Sequence, residues 1–236
     1  MLKGGSLPVK EIKSFLEASY NPDAPKLLLG YTLDDKLSNL YGKVYYNNSI
    51  KKVVIAHRGT VENSDWANNA IYGANSSAYK LTPRYKSAQQ MVNKALKKYK
   101  GFRFYSCGHS QGAMLSHLLG TKAVNNIQLN PAYKDETLKN NEYIIRSSGD
   151  VVSALTVPKK MMNQLLYPSW AKSHMITIPA KTNNALIEHK VDILDRLDPN
   201  MRIGQGGAKA QTEQSLKGGS KKKRTLYGYH ILNFNI

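Results

Sequence analysis

One cysteine, Cys107, stands among 236 residues. That excludes an intramolecular disulfide and any zinc site built from cysteines. Acidic residues are also scarce, with 16 Asp and Glu against 34 Lys and Arg, for a formal net charge of +18. No uninterrupted apolar run approaches the roughly 20 residues that a membrane-spanning helix needs. Residues 1–6 hold Lys3 but no apolar stretch follows, so a secretory signal is not evident. No set of His, Asp and Glu has the spacing of metal ligands, and neither a metal nor another cofactor is expected. A charged fraction of 21% beside 41% hydrophobic residues excludes a wholly disordered chain. What remains is the size and balance of one globular α/β domain. The cationic excess predicts attraction to something anionic, whether nucleic acid, a lipid surface or an acidic partner, and says nothing of fold.

Apolar residues at Val9, Ile12, Leu16 and Tyr20 recur with helical spacing, and the segment 21–25, with Pro22 and Pro25, ends that helix. Residues 43–46 and 52–56 read as neighbouring strands. The spacing of Ala88, Met91, Val92, Ala95, Leu96 and Tyr99 predicts a helix over 87–100, with Ser87 and Gln90 as a capping box and Gly101 as its stop. A β-prone run, 102–107, comes next, then a helix containing Met114, Leu115, Leu118 and Leu119. Further strands are expected at 127–129, 143–147 and 175–178, and helical stretches around 159–166 and 188–197. Alternation of this kind predicts a mostly parallel central sheet flanked by helices. From 200 onward Gly, Gln, Lys and Ser dominate, so the domain is expected to occupy 1–199 and a flexible basic linker and tail 200–236.

Between the strand and the helix lies Gly108-His109-Ser110-Gln111-Gly112, a G-x-S-x-G pattern in the one context that gives it chemical meaning. A turn that tight strains the serine backbone and projects its oxygen at the carboxyl end of the strand. Glycines on either side let neighbouring segments approach without a Cβ clash. The helix that starts there offers N–H groups and a positive dipole end to a developing oxyanion. Upstream, at the end of another apolar strand, stands Arg58-Gly59-Thr60, followed by Asp65-Trp66.

An apolar strand, Arg-Gly-Thr, Asp-Trp, a helix and the elbow in this order resemble the class 3 lipase family of α/β-hydrolases, over roughly residues 40–195. The resemblance implies an α/β-hydrolase fold and hydrolysis of carboxylic esters of lipids, as a triacylglycerol lipase or a phospholipase. It places Thr60 beside the oxyanion, with the backbone N–H of Gln111 as the second donor. Family members usually carry Leu after the serine; Gln111 changes the polarity there without removing the backbone donor.

A serine nucleophile needs a base, and the base an acid, in the chain order Ser, Asp, His for such a fold. Of the acids after Ser110, Asp150 alone immediately follows a strand pattern, and its Gly149-Asp150-Val151-Val152 turn matches the family's Gly-Asp-x-Val. His174, His189 and His230 lie downstream. His189 follows the last strand and a polar loop and is expected to open a helix, where the family places its base. His174 precedes the 175–178 strand, the wrong end for a site at strand carboxyl termini, and stands as the alternative. His57 reads as a strand-end residue, His109 as the variable elbow position and His117 as a helix-face residue. Residues 72–86 occupy the position of the family's lid, and a plain surface loop fits them equally.

Leu-Lys-Gly-Gly-Ser occurs twice, at 2–6 and 216–220. It resembles the Leu-x-Gly-Gly sites of adenovirus-type maturation proteases, which would imply trimming at Gly5 and Gly219 and a viral, virion-associated chain; a pair of flexible linkers explains it as well. The tail from Met201 holds seven basic residues, including the run 221–224, against Glu213, so most of the net charge belongs to the body. No nucleic-acid-binding motif accompanies that charge. The expectation is a serine hydrolase with the triad Ser110, Asp150 and His189, drawn to an anionic lipid surface; the alternative is a non-catalytic virion or binding protein on the same scaffold.

Overall fold

The computed structural model describes residues 5–60, 79–132, 139–152 and 174–204. The chain opens with β1 (Ser6–Pro8) and α1 (Val9–Tyr20), then three strands, β2 (Leu27–Leu28), β3 (Tyr31–Leu33) and β4 (Gly42–Asn47). After β5 (Lys52–His57) come α2 (Pro83–Lys98), β6 (Arg103–His109) and α3 (Gln111–Leu119). The last described elements are β7 (Asn125–Leu129), β8 (Glu142–Ser147), β9 (Met175–Ile178), the short α4 (Ala185–Glu188), a 3-10 turn at Val191–Arg196, and β10 (Arg202–Gly204).

Eight strands form one sheet in the order β2 to β9; β5 through β9 run parallel, and β2 to β4 add an antiparallel edge. Strand β5 is buried at all six positions, as expected for a strand covered on both faces. Its Val54 and Ala56 pack with Ile12, Phe15 and Leu16 of α1, while Val53 and Ile55 pack with Met91, Val92 and Ala95 of α2. A third cluster, with Ala88, Ala113, Met114 and Leu115, joins α2 to α3. This is the α/β-hydrolase fold: a mostly parallel sheet between helical layers, with β6 and its neighbours delivering their carboxyl ends to one rim.

Four local features differ from the sequence expectation. Helix α2 begins a turn before Ser87, because Pro83 occupies the first turn and the Thr82 side chain accepts from Tyr85 N. Ser87 instead receives Asn39 Nδ2 on its hydroxyl. The helix expected over 188–197 is a four-residue α4 followed by a 3-10 turn, so His189 closes a helix rather than opening one. Residues 202–204, which composition assigns to a linker, pair antiparallel with Ser6–Pro8. The expected helix at 159–166, Asp65-Trp66, residues 72–78 of the 72–86 stretch and the tail from 205 with its basic run and Gly219 lie outside the described residues. Of the first pentapeptide, Gly5 and Ser6 are described: the Gly5 carbonyl accepts from Asn125 Nδ2, and Ser6 is in register with Gly204.

Candidate active site

Strand β6 ends at His109, α3 begins at Gln111, and Ser110 between them sits at φ 57°, ψ −122°. That is a left-handed backbone a serine rarely adopts, and it persists only where the surroundings over-determine it. The surroundings are the two glycines. A Cβ on Gly108 would overlap the backbone of Gly112, and one on Gly112 would overlap the carbonyl of His57. The elbow thus presses directly against the end of β5. Ser110 N donates to Leu129 O at 3.1 Å, tying the turn to β7, and its own carbonyl accepts from Ala113 N at 3.0 Å in the first turn of α3. The Gln111 amide opens α3 at the positive end of its dipole.

The Arg58-Gly59-Thr60 loop lies against this turn. A Cβ on Gly59 would come within 2.8 Å of the His109 carbonyl and 3.1 Å of Ser110 Cβ, so only glycine lets the loop touch the elbow. Thr60 Oγ1 is buried and has no hydrogen-bond partner among the described residues.

Asp150 and His189 meet at the same rim. His189 Nδ1 donates to Asp150 Oδ1 at 2.9 Å, with both side chains buried. Asp150 follows β8, and its Oδ1 also accepts from Val152 N at 3.0 Å. The segment carrying His189 is clamped from below. Asn184 caps α4, and Asn130 bridges, donating from Nδ2 to Glu188 O and accepting from Ser147 N, both at 3.0 Å. The Glu188 carboxylate, wholly buried, accepts from Arg196 at 2.6 and 3.0 Å, from the amides of Lys181 and Thr182, and from Ser147 Oγ. These donors, Arg196 first among them, hold its pKa down at about 2.

Sequence reasoning missed the role of His109. Its Nε2 lies 2.6 Å from the backbone carbonyl of His189, and its Nδ1 lies 2.6 Å from the Tyr20 hydroxyl. A carbonyl only accepts, so Nε2 carries the proton, and Nδ1 accepts from Tyr20. Burial, with His189 close by, holds the His109 pKa down at about 3, so the ring is neutral. Burial likewise pushes Tyr20 up to about 12, keeping its proton in place, and its oxygen accepts from Gly59 N at 3.0 Å. One chain of hydrogen bonds therefore runs from the Gly59 loop through the end of α1 and the elbow to the His189 backbone. Periodicity showed Tyr20 only as the last residue of an apolar stripe, and nothing local marks a partner 89 residues away.

His174 lies at the other end of the sheet, its ring stacked 4.9 Å from that of Tyr143 and its Nε2 bonded to Asn140 O. His117 pairs through Nδ1 with Glu142 at 2.6 Å, in a buried contact between α3 and β8. His57, the last residue of β5, is fully buried. No group of three or more His, Cys, Asp or Glu among the described residues is arranged to hold a metal ion. Among the described residues no helix is long and apolar enough to cross a membrane.

No family model matches the chain, and no curated protein matches it either. Solved structures do. The chain is similar to the Lip2 lipase from Yarrowia lipolytica at 13% identity and a TM-score of 0.46, over 63% of this chain and 72% of that one. It is similar to the Rhizomucor miehei lipase in complex with its propeptide at 14% identity and a TM-score of 0.42, over 65% of this chain and 63% of the other. A further fungal lipase aligns over 86% of this chain and 88% of its own length, at 15% identity and a TM-score of 0.44. All three are lipases by name.

Proposed function

We propose that this protein is a serine hydrolase that cleaves carboxylic esters of lipids. The observation that carries the reading is the buried His189–Asp150 pair at the rim where a strained elbow presents Ser110. Ser110 Oγ attacks the ester carbonyl while His189 Nε2 takes its proton; Asp150 keeps Nδ1–H oriented and stabilises the imidazolium. The Gln111 N–H and Thr60 stabilise the tetrahedral oxyanion. The imidazolium returns its proton to the leaving alcohol as the C–O bond breaks. Water, activated by the same ring, then releases the acid from Ser110. The lipid part of the reading comes from the Arg58-Gly59-Thr60 and Asp65-Trp66 resemblance. A net charge of +18 would favour an anionic lipid surface.

A fluorophosphonate probe tests it directly. The full chain is expected to be labelled at Ser110, and Ser110→Ala to lose both the label and hydrolysis of medium-chain p-nitrophenyl esters while remaining folded. An unlabelled native chain would leave the scaffold a binding protein, and a Ser110→Ala variant that still turns over would overturn Ser110 as the nucleophile.

A further inference from the structure

Two arginines stand beside the candidate oxyanion loop with no counter-charge among the described residues. Arg58 and Arg84 are each half-buried, and neither forms an ion pair among the described residues. The Nε of each is buried and has no hydrogen-bond partner there. Arg84 lies with its guanidinium 5.3 Å over the Tyr41 ring and donates through Nη2 to the Arg58 carbonyl. The Arg58 N–H in turn donates to Tyr41 O at 3.0 Å. Burial, and then the charge of Arg84, lower the pKa of Arg58. Lys13, Lys98 and Arg196, by contrast, have carboxylate partners in Asp195, Asp34 and Glu188.

Arg84 is also on the wrong end of its helix. It falls in the first turn of α2, which contains no acidic residue, so its charge adds to the positive end of the dipole. A guanidinium cannot escape such a position by losing its proton. Partly desolvated, without an ion pair among the described residues and set against both neighbour and helix, the two guanidiniums would be stabilised by an anion placed between them. A second feature points the same way. His57 is fully buried, neither ring nitrogen has a hydrogen-bond partner among the described residues, and burial, with the Arg84 charge adding to it, holds its pKa down at about 3.

We propose that Arg58 and Arg84 form a binding site for a phosphate group, next to the reacting serine. Two forked guanidiniums match the several oxygens and the charge of a phosphate, whereas a carboxylate would balance only one. The pair adjoins the proposed chemistry. The Tyr20 hydroxyl feels both arginine charges and accepts from Gly59 N, and Gly59 packs on Ser110. The site therefore selects an ester whose alcohol part carries a phosphate, a phospholipid rather than a neutral acylglycerol; this substrate assignment, unlike the anion site itself, rests on the hydrolase reading.

Calorimetric titration of the full chain with inorganic phosphate and with sn-glycerol 3-phosphate, at constant ionic strength in chloride, tests the site without requiring turnover. Saturable single-site binding of both is expected, with acetate failing to compete. Arg84→Gln is expected to weaken it by about tenfold or more, and Arg84→Lys by less, because an ammonium cannot bond as a fork. Lys94→Gln, at an exposed position on the same helix, should leave it unchanged. If Arg84→Gln does not fold, Arg58→Gln serves in its place, and the native titration decides alone. Absent saturable binding, equal competition by acetate, or equal loss in Lys94→Gln would overturn the site. Binding of inorganic phosphate alone would overturn the headgroup assignment. Phosphate binding by a chain that fluorophosphonate does not label would sink the hydrolase reading and keep the anion site.

Discussion

His109 donates from Nε2 to the backbone carbonyl of His189 at 2.6 Å. The residue before the elbow serine thus holds the segment that carries the imidazole facing Asp150. Tyr20 completes the hold, donating to Nδ1 of the same ring and accepting from Gly59 N. Both histidine and tyrosine act on the site through others and are positioning residues.

His109→Leu and Tyr20→Phe are therefore expected to lower kcat on p-nitrophenyl esters by about 10- to 100-fold with a smaller change in KM, because they let the base and the Gly59 loop drift. Each also orphans a buried polar group, for a stability loss of about 1–3 kcal/mol measurable by urea unfolding. A stable variant with native kcat would show that the ring merely fills space.

The glycines separate steric need from backbone need. Gly108→Ala and Gly112→Ala drive a methyl group into backbone atoms that cannot move away, and each should cost more than about 4 kcal/mol or prevent folding. Gly101 sits at φ +87° with nothing within 4 Å of an added Cβ. Gly101→Ala should cost only about 1–2 kcal/mol, the penalty of a left-handed alanine. Expression yield and thermal melting of the three variants check the ranking.

Ser110 reverses the usual order of small residues. At φ 57°, ψ −122° an alanine keeps the strain, about 1–3 kcal/mol, while a glycine releases it and loses about 0.5–1 kcal/mol to its freer unfolded chain. Ser110→Gly should melt at or above Ser110→Ala, and both should be inactive. A lower melting temperature for the glycine variant would mean that the elbow is not strained.

These contrasts mark what the sequence could disclose. The elbow was legible because its constraint is local: two glycines, a serine, and a change of period from strand to helix within a dozen residues. Asp150 was legible as the acid that ends a strand, and His174 could be set at the far end of the sheet from its place before β9. The start of α2 was misread because Ser87 with Gln90 satisfies the capping pattern as well as Thr82 with Pro83 does; only packing of Tyr85, buried in the α2–α3 cluster, favours the earlier start. Strand β10 was illegible for a different reason. Its partner is at the other end of the chain, and Arg202–Gly204 carries no strand pattern long enough to register. Glu188, beside the proposed base, looked like any helix-surface acid; its burial depends on Arg196, Ser147 and a turn at 181–182 that meet only in three dimensions.

The same buried groups set how the fold responds to acid. His57 and His109 are held neutral to about pH 3 by burial, against an ordinary value of 6.5. Between those limits the unfolded chain binds two protons that the folded chain does not, so stability falls as pH falls below 6.5. Once both are protonated in the unfolded state the slope approaches about 2.7 kcal/mol per pH unit. Glu188 works in the same direction lower down. Its carboxylate is held near 2 against an ordinary 4.5, so its contribution is complete above 4.5 and is lost as pH falls through 2. Urea unfolding followed from neutral pH to about pH 4 should show the two-proton slope, and His109→Leu should remove about half of it. A native chain whose stability is flat across that range would mean that the two rings can take protons in the folded state, and that the His109 ring does not hold the His189 carbonyl as a neutral donor.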